Sequence, residues 1–220
     1  MLKRCWLLSA LILSIGVSGL AQGPRRIPVG DWPEMRGPTR DGISRETGLI
    51  DSFALNGANF LWRVPYGGRS APIVVGNRVY VQNPAARGAN LQERVMALDA
   101  DSGKVIWEYK FSLFQSDAPP HRIGWASPAA DPETGNIYAL SAGAQAIALS
   151  RDGKLLWERS LGEEWAAFTT QGGRTMSPVV DGDLVIVSAA VNNWGTSAAR
   201  THRLLEIGRA SCRERVYVLV

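Results

Sequence analysis

Cysteine and histidine are nearly missing: two of each in 220 residues. Cys5 and Cys212 sit at the two extremes, so the body of the chain has no thiol. That excludes a disulfide framework, a cysteine-ligated metal and a cysteine nucleophile there. His121 and His202 lack the spacing of a metal pair, and two isolated histidines do not argue for a Ser-His-Asp set. The Gly-Gly pairs stand outside any strand–GxxxxGK–helix setting, so no phosphate cradle is read. Charge of one sign is also scarce. The formal net charge is +4, but Lys3 and Arg4 at the start, and Arg209, Arg213 and Arg215 against Glu206 and Glu214 at the end, supply three of those units. Residues 22–205 therefore carry only +1, which gives a nucleic acid or an acidic membrane surface no electrostatic hold. After residue 20 no long apolar run recurs, so no membrane-spanning segment is expected in the rest. With 45% hydrophobic and 20% charged residues, the chain reads as globular and not disordered.

The two ends stand apart from the body. Met1 to Arg4 is a short basic start, Cys5 to Leu20 is uncharged and mostly apolar, and Gly19-Leu20-Ala21 offers small residues for cleavage. This is a secretory signal over residues 1–21, and it implies export to the periplasm or beyond. Cys5 lies too early to be a lipid-bearing cysteine. At the other end, the eleven residues from Glu206 to Val216 resemble the conceptual translation of a common short-read sequencing adapter. Residues 206–220 are accordingly read as a non-native tail, with the native frame cut at about Leu205.

The body is repetitive. Three openings align: Gly67 to Pro72, Arg122 to Pro128 and Gly172 to Pro178, their prolines 56 and 50 residues apart. Each is followed by a β-branched run, a turn (Gly76-Asn77, Thr134-Gly135-Asn136, Asp181-Gly182-Asp183) and a second run, a repeated hairpin signal. A second hairpin follows in two copies. Arg94 to Asp99 leads through Ser102-Gly103 into Lys104 to Tyr109, and Ala146 to Ser150 leads through Asp152-Gly153 into Lys154 to Arg159. Trp62, Trp107 and Trp157 close successive units at spacings of 45 and 50. Four strands per repeat ending in a fixed Trp predict blades of a propeller, with the Trp docking one blade on the next. The fold class is all-β: a β-propeller of four-stranded blades, incomplete, with a lead-in strand at Asn59 to Val64, two blades and part of a third. Residues 22–58 form an N-terminal segment ahead of the blades at 59–205.

Ala97-Leu98-Asp99-Ala100-Asp101-Ser102-Gly103-Lys104-Val105-Ile106-Trp107 resembles the docking motif of quinoprotein-type (PQQ-like) β-propeller repeats, with Ser102 for the usual Thr. The copy from Ala148 to Trp157 is one residue shorter. Asp31 to Gly42 is similar to the opening segment of exported bacterial members of that family. The resemblance implies one of two roles. Quinoprotein dehydrogenases of the family hold pyrroloquinoline quinone and Ca²⁺ on the propeller axis, with a vicinal cysteine pair, calcium-ligating oxygens and an Asp base. Other members are noncatalytic scaffolds of the outer membrane that bind envelope partners through their loops. The missing cysteine pair weighs against a dehydrogenase, and no catalytic residue is identified. A binding or scaffold module with an envelope protein or small-molecule ligand leads, and a PQQ- and calcium-dependent alcohol or sugar dehydrogenase is the alternative.

Candidate binding residues are few. Arg69, Arg122 and Arg174 each precede the first strand of their blade, where side chains can turn toward the axis and meet a carboxylate-rich ligand. The favoured reading is nevertheless structural, with each arginine tying loop carbonyls. The loops from Phe111 to Arg122, Glu163 to Gly173 and Ala189 to Thr201 are long for hairpin connections, with Trp125, Trp165 and Trp194 in or beside them. Asp99-x-Asp101-x-Gly103 fails as a calcium loop, because the Gly comes one place early and Lys110 stands at the twelfth position; a turn is expected.

Overall fold

A computed structural model describes residues 30–57, 59–113, 120–167, 175–191, 201–209 and 214–219. The expected signal at 1–21 lies outside them. Twelve strands form three antiparallel four-stranded sheets, each in sequential order. The first blade is β1 (Ile73–Val75), β2 (Arg78–Ala85), β3 (Gln92–Asp99) and β4 (Val105–Ser112). The second is β5 (Ala129–Ala130), β6 (Ile137–Leu140), β7 (Gln145–Leu149) and β8 (Leu155–Ser160). The third is β9 (Val179–Asp181), β10 (Leu184–Val191), β11 (Thr201–Gly208) and β12 (Glu214–Leu219). Residues set aside on sequence grounds thus supply the end of β11 and all of β12, which pairs with β11 from His202–Leu219 to Ile207–Glu214.

The turns form where glycine permits them. Gly76 and Gly182, at φ +57° and +54°, close two-residue hairpins between the first two strands of blades 1 and 3. At the β3–β4 turn, Asp99 Oδ1 accepts from Ser102 N at 2.8 Å and from Ser102 Oγ at 2.6 Å, which holds the Asp99 carboxyl below its ordinary value. The Asp99–Gly103 pattern is a turn. The ladder register shifts at Ala97/Leu98 and again at Ala148/Leu149, the same position in two blades.

The core lies between blades. Ile73, Tyr80, Val95, Ala97 and Phe111 of blade 1 pack on Ala130, Ile137, Ala139, Ile147 and Leu149 of blade 2. The other face of blade 2 (Ala129, Tyr138, Leu140, Ala146 and Ala148) packs on Val180, Val185, Val187, Leu205 and Ile207 of blade 3. Alternation along β6 and β7 divides one nearly continuous apolar run between two neighbours.

The tryptophans join the blades at one end of the strands. Trp62 Nε1 donates to Ala100 O at 2.8 Å, Trp107 Nε1 to Arg151 O at 2.8 Å and Trp157 Nε1 to Arg209 O at 3.2 Å. Each acceptor lies in the β3–β4-type turn of the following blade. A Cβ at Gly103 would come 2.6 Å from the Trp62 ring, and one at Gly153 2.6 Å from Trp107, so each indole lies directly on a glycine. Docking is structural, as the repeat implies. The lead-in stretch Phe60 to Val64 has no ladder partner among the described residues, although its Trp62 docks like the others.

One loop departs from expectation. Glu163 to Trp165, the start of a stretch expected as loop, belong to a short helix, α1 (Leu161–Trp165). Ser160 caps it by accepting from Glu163 N, and Arg159 pairs with Glu164 at 2.8 Å. Ser160 followed three residues later by Glu163 is a capping-box spacing that the strand pattern around Trp157 obscured.

Candidate functional site: the axial mouth

The N-terminal segment threads the innermost strands. Trp32 exchanges both backbone bonds with Val74, at 2.7 and 2.9 Å; Pro33 O accepts from Ala130 N at 2.8 Å; Glu34 Oε1 accepts from Val180 N at 3.2 Å. Val74, Ala130 and Val180 each stand two places after the proline of their blade, so three consecutive residues tie three successive blades at one equivalent position. Arg40 locks the end of this run, bonding Glu34 Oε2 at 3.1 Å and Val180 O at 2.5 Å. Gly37, at φ +75°, lies under the Trp32 ring with no room for a Cβ.

A second seam runs just before the prolines. Ala71 N donates to Ser127 Oγ at 2.8 Å, and Ser127 N donates to Ser177 Oγ at 2.9 Å. In blades 1 and 2 the residue before the proline thus hands its N–H to the hydroxyl at the same place in the next blade.

Above this seam lies a concavity of about 530 Å³ lined by Met35, Arg69, Trp125, Ser127, Thr175, Met176 and Ser177. Met35 is 55% and Met176 37% exposed, whereas Met96 is buried in a strand. Ser177 Oγ stands 3.5 Å from Met35 Sδ. Thr175 Oγ1 is buried without a hydrogen-bond partner among the described residues. The Arg69 guanidinium lies 5.1 Å over the Trp125 ring, and its Nε donates to His121 O at 3.0 Å.

The three expected arginines fall in different places. Arg69 lines the concavity. Arg122 ends a single 3₁₀ turn, Pro120–Arg122, and is half-buried outside the lining. Arg174 lies outside the described residues. Counted back from the prolines, the equivalents of Arg69 are Trp125 and Thr175, not Arg122 and Arg174. The arginines recur in the text but not in register. Met35, Ser127, Thr175, Met176 and Ser177 were not singled out as site residues; alignment on the prolines is the signal that places four of them.

A calcium-bound quinone does not fit this lining, which among the described residues contains no carboxylate or side-chain amide, whereas calcium takes 6–8 oxygen ligands. Among the described residues, no three of His, Cys, Asp and Glu converge as a metal site. No described helix is long and apolar enough to cross a membrane.

No curated protein sequence matches the chain. Among solved structures, a europium-containing methanol dehydrogenase superposes with a TM-score of 0.51 at 20% identity, over 70% of this chain and 25% of that one. The quinohemoprotein alcohol dehydrogenase ADHIIG of Pseudomonas putida HK5 gives 0.50 at 20% identity, over 72% and 22%. BamB from Moraxella catarrhalis gives 0.45 at 14% identity, over 71% and 41%. The chain therefore spans a quarter or less of the two dehydrogenases, and the likeness to them is one of propeller fold. The family model described as outer membrane protein assembly factor BamB matches residues 51–210, well over half of the sequence. This chain belongs to that PQQ-like β-propeller family.

Proposed function

We propose that the protein is an exported binding module of the bacterial cell envelope that works through the axial mouth and performs no redox chemistry of its own. The observation that carries this reading is the composition of the concavity. Two exposed thioethers, an indole with a guanidinium over it, and three hydroxyls supply apolar contact and hydrogen bonds. None of these groups serves as a general base near neutral pH. Exposed methionines make adaptable apolar contacts, and Trp and Arg are the residue types that anchor interfaces. An apolar peptide segment with a backbone or side-chain carbonyl matches that set.

The test sets this reading against the quinoprotein one. Titration of the chain with pyrroloquinoline quinone and Ca²⁺ together should show no saturable binding at micromolar concentrations, and dye-linked alcohol oxidation should be absent. Tight quinone binding that needs calcium, together with alcohol-dependent dye reduction, would overturn the proposal.

A further inference from the structure

The junction of blades 1 and 2 fixes one charge at the axial mouth. Arg69 N donates to Gly124 O at 3.3 Å, Arg69 Nε donates to His121 O at 3.0 Å, and the guanidinium lies 5.1 Å over the Trp125 ring. The residues on either side of Arg69 are held too. Ser70 Oγ donates to Gln82 O at 2.6 Å, and a Cβ on Gly68 would stand 3.1 Å from that same oxygen. The loop that receives Arg69 is fixed in turn. Gly124 sits at φ +70°, where a Cβ would come 2.7 Å from Asn83 Cα, and its N–H donates to Oε1 of Glu93, a buried residue of β3, at 3.0 Å. Glu93 also accepts from Gln82 Nε2 at 2.6 Å and from Ala142 N at 2.9 Å. Two strands of blade 1 and the β6–β7 turn therefore bear on the loop under the guanidinium. A group placed in advance spares an occupant the cost of ordering it.

No acid answers this charge. Among the described residues Arg69 makes no ion pair, and its two terminal amino groups have no partner. The oxygens of Glu93 are taken up by N–H groups. The other lining residues (Met35, Trp125, Ser127, Thr175, Met176 and Ser177) are neutral. A guanidinium presents its N–H groups as a planar fork that matches a carboxylate. One cation among thioethers and an indole suits one negative charge on an apolar body. A phosphate dianion or a polycarboxylate would carry charge that this lining leaves unpaired.

We propose that the axial mouth selects an apolar peptide segment by a single carboxylate, which Arg69 receives at its two free amino groups while Met35, Met176 and Trp125 take the apolar side chains beside it. This rests on the binding reading above and adds the chemistry that chooses the occupant. The carboxylate belongs either to a chain end or to an Asp or Glu side chain, and the two sources are separable.

Titration of the full chain, followed at the Trp125 indole N–H resonance, compares three probes: acetyl-Leu-Leu with a free C-terminal carboxylate, the same dipeptide as its C-terminal amide, and acetyl-Leu-Glu-Leu amide. At least one acidic probe should bind about tenfold more tightly than the neutral amide, and the tighter of the two identifies the source. In Arg69→Gln that ratio should fall to about one. In Arg69→Lys, which keeps the charge and loses the fork, it should fall below the parent's. Equal binding of acidic and neutral probes overturns the carboxylate and leaves the mouth a binding site; saturable binding of none of the three overturns both. A preference that survives Arg69→Gln also overturns the proposal, because the carboxylate is then read elsewhere.

Discussion

The two ends of the strands obey different rules. At the end formed by the β3–β4-type turns, the same contact repeats three times: an indole N–H on a turn carbonyl, with the ring of Trp62 seated on Gly103 and that of Trp107 on Gly153. At the end formed by the opening loops, equivalent positions hold different residues. Arg69, Trp125 and Thr175 stand at one register, and Ser70, Ala126 and Met176 at the next. Repetition at one end holds neighbouring blades in a fixed relation. Variation at the other produces a concavity whose lining belongs to no single repeat. Function in such a chain is to be sought where the repeat stops repeating.

The comparison can be broken most severely at the repeated end. Trp107→Ala removes a docking indole that also packs 5.9 Å from Tyr80, and should cost about 3–5 kcal/mol in a denaturant melt. Next comes the pH dependence of the blade 1–2 junction. The folded-state value of Glu93 is raised, so its contribution is fully present below pH 4.5 and lost as pH rises through about 7. The loss should total about 3 kcal/mol, read as a falling urea midpoint that Glu93→Gln does not share. Gly153→Ala should cost about 2 kcal/mol, since φ +80° disfavours a side chain and the Cβ meets the Trp107 ring. At the varied end the effects should shrink. Ser127→Ala strands the Ala71 N–H and should cost about 1 kcal/mol. Arg69→Ala, at an exposed position, should change stability by less than about 0.5 kcal/mol while weakening whatever the mouth binds. A large loss at Arg69 would mean that the opening loops, too, are chiefly structural.

Much of the blade architecture was legible because it is written more than once. The prolines, the glycine turns and the tryptophans each recur, and two strands of alternating apolar residues between them leave few other folds. The lead-in run from Asp31 to Gly42 was legible as a motif but not as a mechanism. That Trp32, Pro33 and Glu34 tie three blades at one register depends on contacts 42, 97 and 146 residues away along the chain. The site was less legible. Arg69, Arg122 and Arg174 share a residue type, yet the backbone counts from the prolines and places Trp125 and Thr175 opposite Arg69. Glu93 gave no signal at all. In an alternating strand a glutamate reads as solvent-facing, and what buries this one is the next blade, whose Gly124 and Ala142 lie 31 and 49 residues on.

The most direct measurement of the account is photocrosslinking from both ends of the strands, with a crosslinking residue placed at position 176 or 104 of the full chain in the cell envelope. Met176 lines the mouth and Lys104 sits in a docking turn. The account predicts a discrete adduct from position 176 that Trp125→Ala removes, and none from position 104. An adduct from 104 alone, or one from 176 indifferent to Trp125, would contradict it.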